Sequence, residues 1–209
     1  MKILVIDDHE VLRDGIKSAF ARVPGHFEFG DAGSFDEAWQ MAQEQPWSLA
    51  ILDLSLGMRD GLELLKEIRS FKPTLPVLVL SMYSELQYGR RSIRAGAAGY
   101  VAKTGRMSEF IEAVRRVLSG GRYVSPCLAE ALAADLQGGR SGSLHEALSD
   151  RELEVMRLIA LGRTVGEIAA ELSLSNKTVS TYRARLLQKT GLKSNAEITR
   201  YALTHQLVA

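Results

Sequence analysis

Five side chains that could carry out phosphoryl chemistry each follow a short apolar run. They are Asp7 and Asp8 after Lys2–Ile6, Asp53 after Leu49–Leu52, Ser81 after Val77–Leu80 and Lys103 after Gly99–Ala102. If these runs are parallel β-strands, their carboxyl ends meet at one edge of a sheet. We therefore expect three carboxylates, one hydroxyl and one ammonium to converge at that edge.

The chemistry of this cluster is that of phosphoryl transfer. Neighbouring carboxylates repel one another unless a cation joins them, and Mg²⁺ prefers oxygen ligands. The Lys103 ammonium can meet a phosphoryl oxygen and the Ser81 hydroxyl can donate a hydrogen bond to it. A carboxylate can accept the group as an acyl phosphate. The residues thus predict Mg²⁺-assisted transfer to an aspartate.

The elements that must position these residues alternate in type up to Gly121. A fifth apolar run, His26–Phe29, joins the four above, and stretches with apolar residues at helical spacing lie between the runs. Strands that are apolar throughout and alternate with helices predict a parallel sheet covered on both faces.

The chain changes character from Asp150 onward, where strand patterns vanish. Ser149, Thr164 and Ser194 are each followed three residues later by Glu, a capping-box pattern, and Ser175 is a fourth plausible N-cap. Four helices are predicted, at 150–161, 165–172, 176–189 and 195–206. A flexible Gly/Ser-rich linker is predicted at 137–146, after a short helix at 127–136.

Composition excludes several classes of protein. Cys127 is the only cysteine among the 209 residues, which excludes an intramolecular disulfide and fits a reducing cytoplasm. No apolar run approaches the ~18 residues of a membrane span, and the first run is too short for a signal peptide. We therefore expect a cytoplasmic protein with no membrane association.

Charge is distributed unevenly although the formal net charge is only +1. Up to Arg122 there are sixteen basic and sixteen acidic residues, whereas residues 176–193 contain five basic residues and no acidic one. Such a stretch is either a solvated helix face or an anion-binding surface.

The first half resembles the receiver domain of two-component response regulators, and "DDHEVLRDG" and "GGRYVSP" resemble its NarL/FixJ branch. The resemblance implies a flavodoxin-like fold with strand order 2-1-3-4-5. It implies that Asp53 accepts a phosphoryl group from a sensor histidine kinase, and that Ser81 and Tyr100 switch, Tyr100 rotating inward. It implies a Mg²⁺ ligand set of Asp8 (directly), Asp7 (partly through water), Asp53 and the backbone carbonyl of Ser55.

Two positions depart from the receiver pattern. Gly57 replaces the proline that family members usually have four residues after the acceptor, and Thr104 replaces the proline common after the lysine. We expect a looser loop at Gly57 and an altered phosphoryl lifetime. The reaction itself should be kept, because neither change removes a reacting group.

The second half resembles the LuxR-type helix-turn-helix almost throughout, and "NKTVSTYRARLLQK" looks closest to the BvgA/EvgA type of regulator. We expect its helix at 176–189 to present a DNA-reading face. The residues expected to contact DNA are Thr164, Ser175, Lys177, Thr178, Ser180, Thr181, Arg183, Ala184, Arg185 and Lys189. Thr190 stands where the family usually has an inward Leu, so we expect a small packing deficit.

The two resemblances together predict a two-domain transcription regulator. It has a receiver at 1–122, a linker with a short helix at 123–147 and an all-α, four-helix DNA-binding domain at 148–209. Phosphorylation would shift a pre-existing equilibrium toward a homodimer that binds paired half-sites in double-stranded DNA. Ile198, Ala202 and Leu203 form the expected dimer face, and RNA polymerase is a further candidate partner.

Three alternatives remain open at this point. The protein could be a constitutive DNA-binding protein whose receiver is vestigial, or its helical half could be an interaction module with a basic face. It could also be a phosphatase with an aspartyl nucleophile. Such an enzyme needs a general acid two residues after the nucleophile, and Ser55 stands there, so we expect no turnover of a substrate.

Overall fold

The computed structural model describes residues 1–57, 59–137, 144–172, 174–205 and 207–208. It divides into two compact units, Met1–Gly139 and Arg140–Ala209. None of the helices in the described ranges is long and apolar enough to cross a membrane.

A five-stranded parallel sheet forms the centre of the N-terminal unit. Its strands are β1 (Lys2–Ile6), β2 (Glu28–Ala32), β3 (Leu49–Leu52), β6 (Val77–Ser81) and β7 (Gly99–Ala102). Their spatial order is β2-β1-β3-β6-β7, and every neighbouring pair is parallel. Two short strands, β4 (Ser55–Leu56) and β5 (Arg59–Asp60), pair only with each other. When these two short strands are left out of the numbering, the order of the five-stranded sheet is 2-1-3-4-5, which confirms the predicted strand order.

Helices cover the sheet of the N-terminal unit. They are α1 (Glu10–Ala19), α2 (Phe35–Glu44), α3 (Gly61–Phe71), α4 (Arg90–Arg94), α5 (Met107–Leu118) and α6 (Pro126–Gln137), with a π-helical turn at Glu85–Gly89 before α4. Alternate strand residues such as Ile3 and Val5 share a core with Ile16 of α1 and Val114 of α5. The strands carry this core and also end at the edge where the polar cluster lies.

The edge strand β2 differs from its predicted position. The apolar run predicts His26–Phe29, whereas the strand spans Glu28–Ala32, with Lys2 opposite Glu28 and Ile6 opposite Ala32. Because β2 lies at the sheet edge and is only partly buried, hydrophobicity marks it poorly. Pairing with β1 determines its register instead.

The C-terminal unit is helical. It has a 3₁₀ turn at Leu144–Ala147, followed by α7 (Asp150–Ala160), α8 (Val165–Glu171), α9 (Asn176–Thr190) and α10 (Asn195–Thr204). All four helices lie within two residues of their predicted bounds. Residues 138–143 of the predicted linker lie outside the described residues.

The N-caps explain why the helices start where the sequence predicts. Ser149 and Thr164 each form a complete capping box with the Glu three residues later. At α10 only half of the predicted box forms, because Glu197 accepts from the Lys193 N–H at 2.8 Å rather than from Ser194.

Candidate functional site

The backbone places the polar cluster by extending the sheet beyond each strand end. The Asp7 N–H donates to the Ala32 carbonyl (3.1 Å) and the Asp53 N–H to the Ile6 carbonyl (2.9 Å). On the far side, the Lys103 N–H donates to the Ser81 carbonyl (2.8 Å). The side chains of these residues are therefore held by the sheet rather than by mobile loops.

Lys103 joins two carboxylates of the cluster. Its Nζ lies 2.6 Å from Asp7 Oδ2 and 2.7 Å from Asp53 Oδ2. The Lys103 side chain is 9% exposed, and those of Asp7 and Asp53 are 1% and 4% exposed. One buried ammonium thus faces two buried carboxylates, which leaves an excess of negative charge.

The pKa values of the pair reflect this imbalance. Burial raises the pKa of Asp53 above its usual value, and the Asp7 carboxylate raises it further, although Lys103 and the backbone amide of Ser55 oppose both effects. Burial acts to lower the pKa of Lys103, but the Asp53 and Asp7 carboxylates outweigh burial and raise it. Lys103 therefore stays charged, and the excess negative charge around Asp53 favours the binding of a further cation.

The residues fit a divalent cation. Asp53 Oδ1 is buried and has no hydrogen-bond partner among the described residues, so one carboxylate oxygen is available to a ligand. Asp8 is exposed at the rim of the cluster, unlike Asp7. The donors are oxygens of the kind that Mg²⁺ prefers.

Two residues beside the cluster were not predicted to belong to it. His9 Nδ1 lies 2.7 Å from Asp8 Oδ1, and the His9 N–H donates to Asp7 Oδ1 at 2.9 Å. Arg13 Nη1 donates to the Asp7 carbonyl at 2.7 Å. Their nearness in sequence to the aspartate pair was the available signal, because the first turn of α1 must pack against the β1 end.

Ser81 and Tyr100 both contact the backbone of Tyr83, and the Tyr100 side chain is turned inward. Both residues are fully buried. The Tyr100 hydroxyl donates to the Tyr83 carbonyl at 2.8 Å, and Ser81 Oγ accepts from the Tyr83 N–H at 3.4 Å. The Tyr100 side chain is therefore held inside the receiver by the loop that follows Ser81.

The loop after Asp53 is organised by two glycines. Gly57 has φ +59° in the turn between β4 and β5, a conformation that proline cannot adopt because its φ is near −65°. A Cβ added at Gly61 would lie 2.5 Å from Leu54 Cα, so only glycine allows α3 to start so close to the acceptor strand. Gly57 thus lies at the turn of a short hairpin, and a looser loop at this position stays a prediction.

A second cluster of functional side chains lies on α9 and, unlike the first, is exposed to solvent. Val179, Tyr182 and Leu186 are buried, as their spacing predicts. The residues on the other side are exposed, and they are Lys177, Ser180, Thr181, Ala184 and Arg185. Helix α9 thus presents a face of basic and small side chains, which suits the major groove of DNA.

The remaining residues expected to contact DNA have partners within the unit. Lys189 Nζ lies 2.7 Å from Glu152 Oε2, and the Glu152 side chain is 2% exposed. Arg183 Nε donates to Asn195 Oδ1 at 2.9 Å. The Lys189 ammonium therefore compensates a buried carboxylate, a pairing that the local sequence could not show.

The hydroxyls of Thr164, Ser175 and Thr178, at the starts of α8 and α9, also form local contacts. Ser175 Oγ accepts from the Thr178 N–H at 3.1 Å and lies 2.8 Å from Thr178 Oγ1. At α8, the Glu167 carboxylate accepts from the Thr164 N–H at 2.7 Å, and this bond lowers the pKa of Glu167. A phosphate at the start of α8 would have to approach this carboxylate.

The expected dimer face is corrected by the structure. Ile198 and Ala202 are fully buried, whereas Leu203 is 55% exposed. Ile198 and Ala202 are four residues apart, so they share one face of α10, and this helix packs closely on α7. That face forms the interior of the unit, and only Leu203 is free to contact another molecule.

Fold and site together define a receiver-type acceptor joined to a helix-turn-helix unit. Family models agree: the response regulator receiver domain matches residues 3–115, and the luxR family of bacterial regulatory proteins matches residues 146–202. The chain belongs to the response regulators of this two-domain type.

Known proteins are similar over the full length. Response regulator GacA of Pseudomonas aeruginosa is 33% identical over 209 residues, covering 100% of this chain and 98% of GacA. Response regulator UvrY of Escherichia coli is 31% identical over 208 residues, covering 99% of this chain and 95% of UvrY. A structure of RcsB from Salmonella enterica bound to promoter rprA with phosphomimetic BeF₃⁻ has TM-score 0.57 and 24% identity, covering 96% and 97%.

Proposed function

We propose that this protein is a phosphorylation-dependent transcription regulator in which Asp53 accepts a phosphoryl group from a sensor histidine kinase. The observation that carries the proposal is the buried ammonium of Lys103, 2.7 Å from Asp53 Oδ2, with Asp53 Oδ1 free of hydrogen bonds to the described residues. One oxygen is thus oriented by a cation while the other is available to react. Residues 1–122 form the receiver, 123–147 the linker and 148–209 the DNA-binding domain.

The transfer exchanges one bond to phosphorus for another. A carboxylate oxygen of Asp53 forms an O–P bond as the P–N bond of the donor phosphohistidine breaks, and the departing imidazole takes a proton. Lys103 remains charged and faces the incoming oxygens, and the Ser81 hydroxyl donates to one of them. Catalysis here consists of positioning and charge neutralisation.

The acidic residues of the cluster would hold Mg²⁺. Asp8 would bind it directly and Asp7 partly through water, and Asp53 and the backbone carbonyl of Ser55 would complete the set. Arg13 fixes the loop that carries Asp7 and Asp8 through its bond to the Asp7 carbonyl. When bound, Mg²⁺ supplies positive charge that neutralises the phosphoryl oxygens.

The output is binding to double-stranded DNA in the cytoplasm. The exposed face of α9 enters the major groove, where Lys177 and Arg185 neutralise phosphates and Ser180, Thr181 and Ala184 approach base edges. A homodimer reads paired half-sites because one module covers a short site. Leu203 belongs to the dimer contact, and RNA polymerase is a further partner.

The acyl phosphate is a signal and not an intermediate of turnover. Ser55 lies two residues after Asp53, where an aspartyl phosphatase needs a general acid. The intact set of Asp7, Asp53 and Lys103 also distinguishes this receiver from a vestigial one, since a vestigial site has no need to keep buried charges in contact.

Labelling with acetyl phosphate and Mg²⁺ tests this proposal. Wild type gains one acid-labile phosphoryl group, Asp53→Asn gains none, and Asp14→Asn, an exposed carboxylate on α1, labels like wild type. Label that survives Asp53→Asn contradicts the assignment of the acceptor. Steady-state hydrolysis of a phosphate ester would support the phosphatase alternative instead.

A further inference from the structure

Helix α6 is seated on the π-helical turn and on α4, within the N-terminal unit. Leu128, on the first turn of α6, is fully buried, and a Cβ added at Gly89 would lie 2.9 Å from Leu128 Cδ2. Near the other end, Asp135 contacts Arg90 Nη1 (3.2 Å) and Arg94 Nη2 (3.1 Å). The helix is thus held by an apolar contact at one end and an ionic contact at the other.

The start of α6 is also tied to the edge strand that carries Tyr100. The Tyr123 N–H donates to the Ala98 carbonyl at 2.9 Å, and the Tyr100 N–H donates to the Tyr123 carbonyl at 3.3 Å. Ser125 Oγ then accepts from the Leu128 N–H at 3.1 Å. The backbone of β7 therefore fixes where α6 begins.

A continuous set of contacts leads from the acceptor site to this seat. Ser81 Oγ accepts from the Tyr83 N–H, and the Tyr83 carbonyl accepts from the Tyr100 hydroxyl. The Tyr83 ring stacks on the Tyr88 ring, with centroids 4.4 Å apart and planes at 19°. Tyr88 is fully buried and precedes Gly89, the residue under Leu128. π-Helical turns such as this one are frequent at functional sites.

We propose that α6 is an output element of the receiver, and that phosphorylation of Asp53 tightens α6 on its seat. This rests on the proposed function of Asp53. A phosphoryl oxygen accepts from the Ser81 hydroxyl while that hydroxyl still accepts from Tyr83, so Ser81 and Tyr83 are ordered together. The stack of Tyr83 on Tyr88 is ordered with them, and the surface that receives Leu128 becomes fixed. The state of Asp53 and the position of α6 then depend on the same ordered segment, Ser81 to Gly89, which is the requirement for coupling.

Hydrogen exchange of the full chain tests the coupling. Backbone amides of 127–137 are followed with and without acetyl phosphate and Mg²⁺, and the acid-labile label on Asp53 is measured in the same samples. We expect exchange in α6 to slow by about tenfold on phosphorylation, as a typical coupling predicts. A labelled Asp53 with unchanged exchange in α6 overturns the inference alone. Absence of label overturns the proposed function and the inference together.

Two pairs of variants test the contacts that lead from Ser81 to α6 and the contacts that hold α6 in place. Tyr88→Leu removes the stack and is expected to label normally without slowing exchange in α6, whereas Tyr88→Phe keeps the ring and the coupling. Asp135→Asn removes the ionic contact and speeds exchange in α6 in both states, whereas Glu130→Gln, on the exposed side of α6, leaves it unchanged. Slowed exchange in labelled Tyr88→Leu contradicts the path. If Tyr88→Leu fails to fold, exchange in Asp135→Asn like that of wild type contradicts the seat.

Discussion

The two sites of this protein use charge in opposite ways. In the receiver, Lys103 and two carboxylates are buried, and Lys103 Nζ lies 2.6 Å from Asp7 Oδ2 and 2.7 Å from Asp53 Oδ2. On α9, Lys177 and Arg185 are exposed and point to solvent. Buried charges must be compensated inside the protein and so determine stability as well as chemistry. Exposed charges contribute little to stability and remain available to a polyanion.

Removing the buried ammonium should have the largest effect. Lys103→Met leaves Asp7 and Asp53 buried without their cation, so we expect the free energy of unfolding to fall by about 3–5 kcal/mol. Mg²⁺ should restore part of this loss by binding the native state. Denaturant unfolding with and without Mg²⁺ measures both effects, and Lys66→Met, exposed on α3, serves as control. Equal stability of the two variants would contradict a compensating role for Lys103.

The interior of α10 should respond next. Ile198→Ala creates a cavity against α7 and is expected to cost about 2–5 kcal/mol, whereas Leu203→Ala, at a residue 55% exposed, changes stability by about 0.5 kcal/mol or less. Thermal unfolding compares the two variants.

The same helix separates stability from dimerisation. Leu203→Asp should reduce the dimeric fraction of the phosphorylated protein, measured by light scattering, because a charge then occupies the one apolar contact that remains of the expected face. A dimer as abundant as that of wild type would place the contact elsewhere.

The exposed charges should affect DNA binding and not stability. The double variant Lys177→Ala, Arg185→Ala loses two phosphate contacts. The negative slope of log K against log salt should therefore become shallower by about two. Lys189→Ala is the matched basic control: it should leave the slope unchanged and lower stability by about 1–3 kcal/mol, because the buried Glu152 carboxylate then loses its cation. Salt titrations of promoter binding and unfolding curves give both quantities. A reduced slope for Lys189→Ala would return this residue to the DNA face.

Thr190 should give the smallest effect. Its hydroxyl donates to the Leu186 carbonyl at 2.7 Å and accepts from the Leu192 N–H at 3.4 Å, so the buried polar group is satisfied. Thr190→Val is expected to change the unfolding free energy by about 1 kcal/mol or less. Thr199→Val, which loses a similar bond to the Asn195 carbonyl on an exposed helix face, is the comparison in the same unfolding assay.

The strand order was implied by the resemblance to receiver domains, whereas the patterns of the sequence itself determined the parallel sheet, the helix starts and the residues at the strand ends. These depend on local signals: apolar runs, capping residues such as Ser149, and the rule that parallel strands end at one edge. The same rule brought Asp7, Asp53, Ser81 and Lys103 to that edge before any distance was known. The switch role of Tyr100 came from resemblance alone.

Only the tertiary structure decided which side chains are engaged within the protein and which remain available to a partner. The partner of Lys189 is thirty-seven residues away, at Glu152, and the seat of α6 joins Leu128 to Gly89. Ile198 and Ala202 are apolar residues at helical spacing, which suits an interior and a dimer face equally. Such contacts join residues distant in the chain, so packing settles them and local sequence patterns do not.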